Sequence, residues 1–250
     1  MAFPVVLHGP DGEQFSTYTA QRWPLGTQLV MQDGRKFRYC ENNGSTAMTA
    51  SAVQQAAANV ANHVTQVQTS GAANAIGARA ITFRQAGTSS TANQYAEGML
   101  AVTDGTGEGY IHKVLSHAAF AGVATNETVN LAPGHSIQVA TDTATDLSIV
   151  NCPYKDVLIY PTTSTQVHVG VGVKPLAVDN FGWLATRGLH TVLANSTWVL
   201  GDGLYVASTT AGSASPTTTT FAVAYTRIIG FVALVSASTE YGIAFLTIDG

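Results

Sequence analysis

Two acidic residues on a glycine-rich segment are the first candidates for chemistry in this chain. Asp104 and Glu108 lie in the sequence DGTGEG at positions 104–109. Carboxylates on a flexible loop can bind Ca²⁺, which prefers cages of oxygen ligands. The segment holds too few acidic oxygens for a calcium site of the EF-hand kind, so we favour an ordinary β-turn there.

The sequence motifs that accompany catalysis are absent. The chain contains no Gly-x-Ser-x-Gly elbow, no phosphate loop ending in Gly-Lys-Ser/Thr, no His-Glu-x-x-His and no Cys-x-x-Cys. Its 15 acidic residues are scattered, whereas a glycosidase needs two carboxylates across a cleft. We therefore expect no enzymatic activity, and we assign no catalytic, cofactor-binding or metal-binding residue.

The histidines do not form a recognisable metal site in the sequence. Only His112 and His117 are close together, and an odd separation of five on a strand would place them on opposite faces. His168 alternates with Val167 and Val169, which is typical of a strand position. We expect structural roles for these side chains.

One basic cluster, formed by Arg35, Lys36 and Arg38, is interleaved with Phe37 and Tyr39. Cations mixed with aromatic rings can bind single-stranded nucleic acid. The formal net charge of −4, however, gives the chain no general attraction for nucleic acid. We therefore favour a strand face that makes polar or salt contacts with a protein partner.

Two tryptophans near glycine turns, Trp183 and Trp198, complete the set of candidate interface residues. Large aromatic side chains near turns serve either as core anchors or as anchors of an interface. Core packing is the default interpretation, and an interface role is the alternative.

The composition favours a protein that works inside an assembly. Only 10% of the residues are charged, against about 25% in an ordinary soluble protein. A surface of Thr, Ser, Asn, Gln and Gly can be covered by neighbouring subunits with little desolvation of charge. Such a composition is unusual for an enzyme, whose chemistry tends to cluster ionisable groups.

The sequence also predicts the cellular setting. It shows no signal peptide and no apolar stretch near the ~20 residues of a membrane span, so we expect a soluble protein made in the cytosol. The two cysteines, Cys40 and Cys152, could form one disulfide. Two thiols in a reducing compartment is the interpretation that we favour.

The elements that must position these residues are mainly strands. Short apolar segments of β-branched and aromatic residues alternate with Gly, Asn, Asp and Pro turns. An Asp-Gly pair at 33–34 predicts a hairpin between 29–31 and 36–39, and a longer loop at 104–109 predicts a second one. The apolar runs 227–235 and 241–248 are expected to pair. Residues 49–67, rich in Ala and Gln, are the only candidate for a short helix.

We therefore predict an all-β fold with two β-sandwich or barrel-like units, an extended N-terminal arm and at most one short helix. The arm spans 1–22, where Pro and Gly discourage regular structure, and a frayed terminus is the alternative. Residues 23–65 are expected to hold a hairpin and the candidate helix, and one alternative is that their strands complete the C-terminal unit. The central β domain spans 66–160 and the C-terminal β domain spans 161–250.

Several short sequence motifs resemble those of a family of small virion proteins from tailed bacteriophages. The resemblance covers roughly residues 20–250 and consists of turns and strands rather than a catalytic signature. The motifs that carry it are PLGT at 24–27, DGRKFRY at 33–39, ANQYAEG at 92–98, DGTGEGY at 104–110, FGWL at 181–184, GDGL at 201–204 and IIGF at 228–231.

This resemblance implies a capsid decoration (cement) protein on the exterior of the virion. Its partners would be the major capsid protein and further copies of itself, as a homotrimer, with no role for nucleic acid or membrane. The chain would be made in the host cytoplasm. The alternative is a tail or head-fibre component that binds a glycan on the host surface.

Overall fold

The computed structural model describes residues 6–64, 68–70, 72–84, 87–122, 125–217 and 228–249. Two single-turn 3₁₀ helices, Glu13–Phe15 and Ala61–His63, accompany nineteen strands in these ranges. The all-β prediction is therefore confirmed. The strands are β1 Val6–His8, β2 Gln28–Val30, β3 Lys36–Glu41, β4 Val53–Gln55, β5 Gln68–Ser70, β6 Ala80–Arg84, β7 Ser89–Ser90, β8 Met99–Asp104, β9 Ile111–His117, β10 Phe120–Ala121, β11 Asn126–Leu131, β12 Asp146–Val150, β13 Leu158–Ile159, β14 His168–Gly172, β15 Phe181–Leu193, β16 Gly203–Val206, β17 Ala214–Pro216, β18 Ile228–Leu234 and β19 Tyr241–Thr247.

The chain divides into two compact units. Unit 1 comprises Met1–Ala57 together with Pro153–Gly250, and unit 2 comprises Ala58–Cys152. Residues 153–160, which we had assigned to the central domain, belong to unit 1 because β13 pairs with β4 and the Val157 amide donates to the Glu41 carbonyl at 2.9 Å. Strands β2 and β3 lie in the same sheet as the C-terminal strands.

Unit 2 contains a closed six-stranded barrel and a separate two-stranded sheet, whose strands come between barrel strands along the chain. The barrel order is β11-β6-β5-β12-β8-β9, and β10 pairs with β7. Apolar side chains alternate inward along the strands, so that Phe83, Leu100 and Leu147 are fully buried. The predicted hairpin around 104–109 is confirmed, because β8 and β9 pair across it.

Unit 1 is built on one sheet of eleven strands. Its main path is β1-β2-β3-β15-β19-β18-β16-β17, and β4, β13 and β14 join it through β15. The hairpin predicted at 33–34 is confirmed: β2 pairs with β3, and Gly34 adopts the left-handed φ of 83° that this turn requires. The 13-residue β15 pairs with β3 along its first half and with β19 along its second half.

The first half of β15 lies over an aromatic cluster. Tyr39 is the centre of the cluster, with ring centroids 5.2 Å from both Trp23 and Trp183 and 6.0 Å from Phe181. Tyr18 adds a fifth ring at 5.4 Å from Trp23. A second cluster of buried side chains in unit 1 lies around Cys40, Val157 and Leu184.

Two local expectations need correction. Residues 6–22 are not a free arm: β1 pairs with β2, and Tyr18 exchanges backbone hydrogen bonds with Phe181 of the same chain. The helix expected within 49–67 is not formed in its described part, where Val53–Gln55 is a buried strand and Ala61–His63 is a single 3₁₀ turn. Packing against β13 and β14 outweighs the helix propensity of Ala and Gln there.

The expectation for His112 and His117 was also wrong. Both side chains are buried, although they lie five positions apart on β9. The pairing of β9 with β11 shifts register between Asn130 and Leu131, so one extra residue of β9 is accommodated and the inward phase is restored. His168 does begin strand β14, as predicted.

Candidate interaction surface

An exposed row of apolar side chains crosses three neighbouring strands of unit 1. Leu189 of β15 lies opposite Phe245 of β19, and Phe245 lies opposite Phe231 of β18. Their exposed fractions are 54%, 43% and 48%. Side chains directly opposite in antiparallel strands have Cβ atoms about 5 Å apart, so these three form one continuous apolar strip.

The apolar strip continues along the same strands. Leu234 of β18 lies opposite Ile243 of β19, and Tyr241 lies opposite Leu193 of β15. Leu234 and Tyr241 are 48% and 56% exposed. We call the five exposed side chains Leu189, Phe231, Leu234, Tyr241 and Phe245 the apolar face.

The opposite side of these strands packs on the interior of unit 1. Val192, Val232, Ala244 and Leu246 are all buried. Trp198 is 1% exposed and lies against Gly242, where an added Cβ would approach the indole within 2.4 Å. Strands β18 and β19 are therefore apolar on both faces, a pattern typical of strands that are covered on both sides.

A charged pocket lies at one end of the apolar face. Its volume is about 420 Å³, and it is lined by Asp33, Gly34, Arg35, Arg187, Gly188, Leu189 and Phe245. Arg35 pairs with Asp33 at 2.6 Å and with Asp11 at 3.3 Å. Arg187 lies opposite Lys36 in the pairing of β15 with β3, so cations and carboxylates are mixed at this end.

Arg35, Lys36 and Arg38, which the sequence singled out together, have different roles. Arg35 lines the pocket beside the apolar face, and Lys36 is half-buried on β3. Arg38 makes two hydrogen bonds to the Asp249 carboxylate, at 2.7 and 3.0 Å, and one to the Gly26 carbonyl at 2.8 Å. Arg38 thus ties β3 to the segment after β19.

The structure assigns both candidate tryptophans to the core. Trp183 is 3% exposed and belongs to the aromatic cluster around Tyr39. The Trp198 indole N–H donates to the Ala214 carbonyl at 3.3 Å, which anchors the turn before β16 to β17. Both rings are buried in unit 1, as the default interpretation of core packing requires.

The acidic segment of unit 2 is a hairpin turn. The Gly105 amide donates to the Asp104 carboxylate at 2.9 Å, and Thr106 donates to Asp142 at 2.7 Å. Within the described ranges, no group of three or more His, Cys, Asp or Glu residues is arranged to hold a metal ion. The β-turn that we favoured there is the geometry observed.

Unit 2 contains the buried histidines His63, His112 and His117. His63 hydrogen-bonds the Tyr95 hydroxyl, and the Tyr95 amide donates to Nε2 of His117 at 3.0 Å. The His112 ring lies 6.4 Å from that of His135. Burial lowers the pKa of both His63 and His112, and at His112 the neighbouring His135 lowers it further. These side chains pack within unit 2, and in the described residues they are not part of a group arranged to hold a metal ion.

The apolar face was absent from the candidate residues chosen from the sequence. The sequence signal for it lies in the apolar runs 228–235 and 241–246, which lack the alternation of apolar and polar residues expected of a strand with one face in water. Its five members are uncharged and belong to no catalytic or ligand-binding motif, so residue chemistry alone does not single them out. The structure also shows no helix long and apolar enough to cross a membrane in the ranges that it describes.

Comparison of the chain with protein-family models, with curated proteins and with solved structures found no match. The resemblance to phage virion proteins therefore rests on the short motifs quoted above.

Proposed function

We propose that this chain is a non-enzymatic structural protein of a virion, and that it decorates the capsid of a tailed bacteriophage. The observation that carries the structural role is the apolar face of unit 1. A contiguous apolar surface of this kind is a site where another protein binds, because leaving it in water is unfavourable.

The size of the exposed surface supports this role. An aromatic side chain buries roughly 150–250 Å², so three rings exposed by 43–56% present about 300 Å². The two leucines of the face add about 100 Å², so the five side chains together present about 400 Å². The largest apolar patch of a typical monomer is about 300–600 Å², and such patches are often functional.

The capsid assignment comes from the sequence motifs and agrees with the composition. A decoration protein binds many equivalent lattice sites, which favours contacts of shape and apolar area over charge. In this proposal the partners are the major capsid protein and other copies of the chain, as a homotrimer on the capsid exterior. The mostly uncharged surface lets such contacts form with little desolvation of charge.

Co-sedimentation with bare capsids of the phage that encodes the chain tests the proposal. Purified chain is mixed with capsids at increasing ratios, and the pelleted chain is quantified against capsid protein. We expect saturation at a fixed ratio set by the lattice symmetry, and no binding to unassembled capsid subunits. Chain that stays in the supernatant at every ratio would overturn the capsid assignment.

A further inference from the structure

We infer that the apolar face is the contact between copies of this chain, each copy covering the face of another with its own. The inference rests on the proposed structural role of this face and names the partner that covers it. Three observations lead to it: the two-sided apolar character of the strands, the area of the face, and its lack of charge.

The two-sided strands indicate a permanent cover. Val232 and Leu246 pack inward while their neighbours Phe231 and Phe245 point outward, so both sides of β18 and β19 carry large apolar side chains. A surface that is covered only occasionally would expose these rings during most of the life of the protein, with aggregation as the consequence. A second copy is the one partner that is present whenever the chain is made.

The area of the face is that of the apolar centre of a contact between copies. About 400 Å² per chain gives about 800 Å² of apolar surface for two copies. Specific interfaces bury about 1,200–2,000 Å² in total, and they surround an apolar centre with a polar rim. The polar side chains around the face form that rim and bring the contact into this range.

The chemistry of the face permits contact with itself. None of its five members is charged, so the same face on two copies meets without repulsion at its centre. At its end, Arg35 already pairs with Asp33 and Asp11 within its own chain. Two such sheets packed face to face would lie about 10 Å apart, as the layers of a β-sandwich do.

Sedimentation equilibrium of the purified chain over a range of concentrations tests the inference. Wild type should sediment at twice 26.0 kDa, because a face that covers the same face of another copy relates two chains by a two-fold axis, and a mass of three copies would overturn this contact. The homotrimer proposed on the capsid requires a second, different contact. The double variant Phe231→Asp/Phe245→Asp should weaken self-association by about 100-fold or more, because it places unpaired carboxylates in the contact. Leu115→Asp, at a side chain of unit 2 that is 51% exposed, is the matched control and should leave the mass unchanged.

A second pair of substitutions guards against unfolding by the new charges. Leu189→Gln/Tyr241→Gln adds polarity without charge and should shift the association midpoint about tenfold. The circular dichroism of every variant is compared with that of wild type. Monomeric wild type, or a double aspartate variant that is folded and associates as wild type does, would overturn the inference.

The capsid experiment separates this inference from the proposed function. Wild type that is monomeric alone, yet pellets with capsids and loses this with Phe231→Asp, refutes self-contact and leaves the decoration role standing. Wild type that associates through the face, yet ignores capsids, supports self-contact and refutes the decoration role.

Discussion

The ion pair between Arg38 and Asp249 provides the sharpest test of how unit 1 is held together. The Asp249 carboxylate accepts hydrogen bonds from Arg38 at 2.7 and 3.0 Å, from Thr186 at 3.2 Å and from Gln28 at 3.4 Å. The two charged side chains are only 26% and 18% exposed. Asp249→Asn keeps the shape of the acceptor but removes its charge and leaves the guanidinium without its counterion.

The expected loss follows from the partial burial of the pair. Breaking a fully buried pair costs about 3–5 kcal/mol, whereas an exposed pair contributes about 0–1 kcal/mol. At the observed exposure we expect Asp249→Asn to lower the free energy of unfolding of unit 1 by about 2 kcal/mol. This corresponds to a fall in Tm of about 4–8 °C.

The pKa of Asp249 determines how its contribution to the free energy of unfolding changes with pH. Burial alone would raise the pKa of Asp249, but the hydrogen bonds and charge of Arg38 outweigh it and hold this pKa below its ordinary value of 3.8. A carboxyl with a depressed pKa stabilises the fold above its ordinary pKa, and the contribution is lost as pH falls through the folded value. The difference between wild type and Asp249→Asn should therefore be full at pH 7 and should diminish below pH 3.8.

Tryptophan fluorescence during urea unfolding measures this difference in unit 1 alone. The three tryptophans of the chain, at positions 23, 183 and 198, all belong to unit 1. Asp33→Asn is the control, because Asp33 is 54% exposed in its pair with Arg35 and should contribute less than about 1 kcal/mol. Equal unfolding midpoints for wild type and Asp249→Asn at pH 7, or a difference that stays constant below pH 3, would refute the reasoning.

Three further predictions concern close packing, protonation and thiol burial. Gly230→Ala should destabilise unit 1 by about 2–4 kcal/mol in urea unfolding, because the new Cβ would lie 2.2 Å from the Phe245 carbonyl oxygen. In Gly203→Ala the new Cβ would meet only the side chain of Thr217, at 3.2 Å. This control should cost less than about 1 kcal/mol, and equal losses in the two variants would contradict the prediction. Because burial lowers the pKa of His112, the free energy of unfolding of unit 2 should decrease as pH falls below 6.5. Hydrogen exchange of the barrel amides measures this dependence on pH, and His112→Gln should weaken it. The same dependence in wild type and variant would count against the prediction. Burial raises the pKa of the Cys40 thiol, so a thiol reagent should modify Cys40 only after denaturation, and rapid labelling of the native protein at that position would show that it is accessible.

Local turn chemistry and apolar periodicity predicted much of the β-structure. The Asp-Gly turn after β2, the β8–β9 hairpin and the pairing of β18 with β19 follow from short-range patterns, and each is observed. The division of the chain was harder to predict, because unit 1 is assembled from two distant segments. Strands β13 and β4 lie about a hundred residues apart, and the sequence of neither strand indicates that they pair.

Side-chain environments were less accessible to sequence reasoning than strands. Arg35 and Arg38 have the same chemistry and lie three positions apart, yet one lines a surface pocket and the other is held in a half-buried ion pair. The ion pair of Arg38 depends on Asp249, which lies more than two hundred residues further along the chain. The bulge in β9 likewise reversed the expected face of His117, because a single extra residue changes the phase of a strand.

Electron cryo-microscopy of bare capsids incubated with the purified chain tests the central claim most directly. We predict added density at symmetry-equivalent lattice sites, in which copies of unit 1 meet through Leu189, Phe231 and Phe245. Capsids that show no added density after incubation with saturating chain would contradict the decoration role. Added density in which these three side chains face solvent would contradict the role of the apolar face.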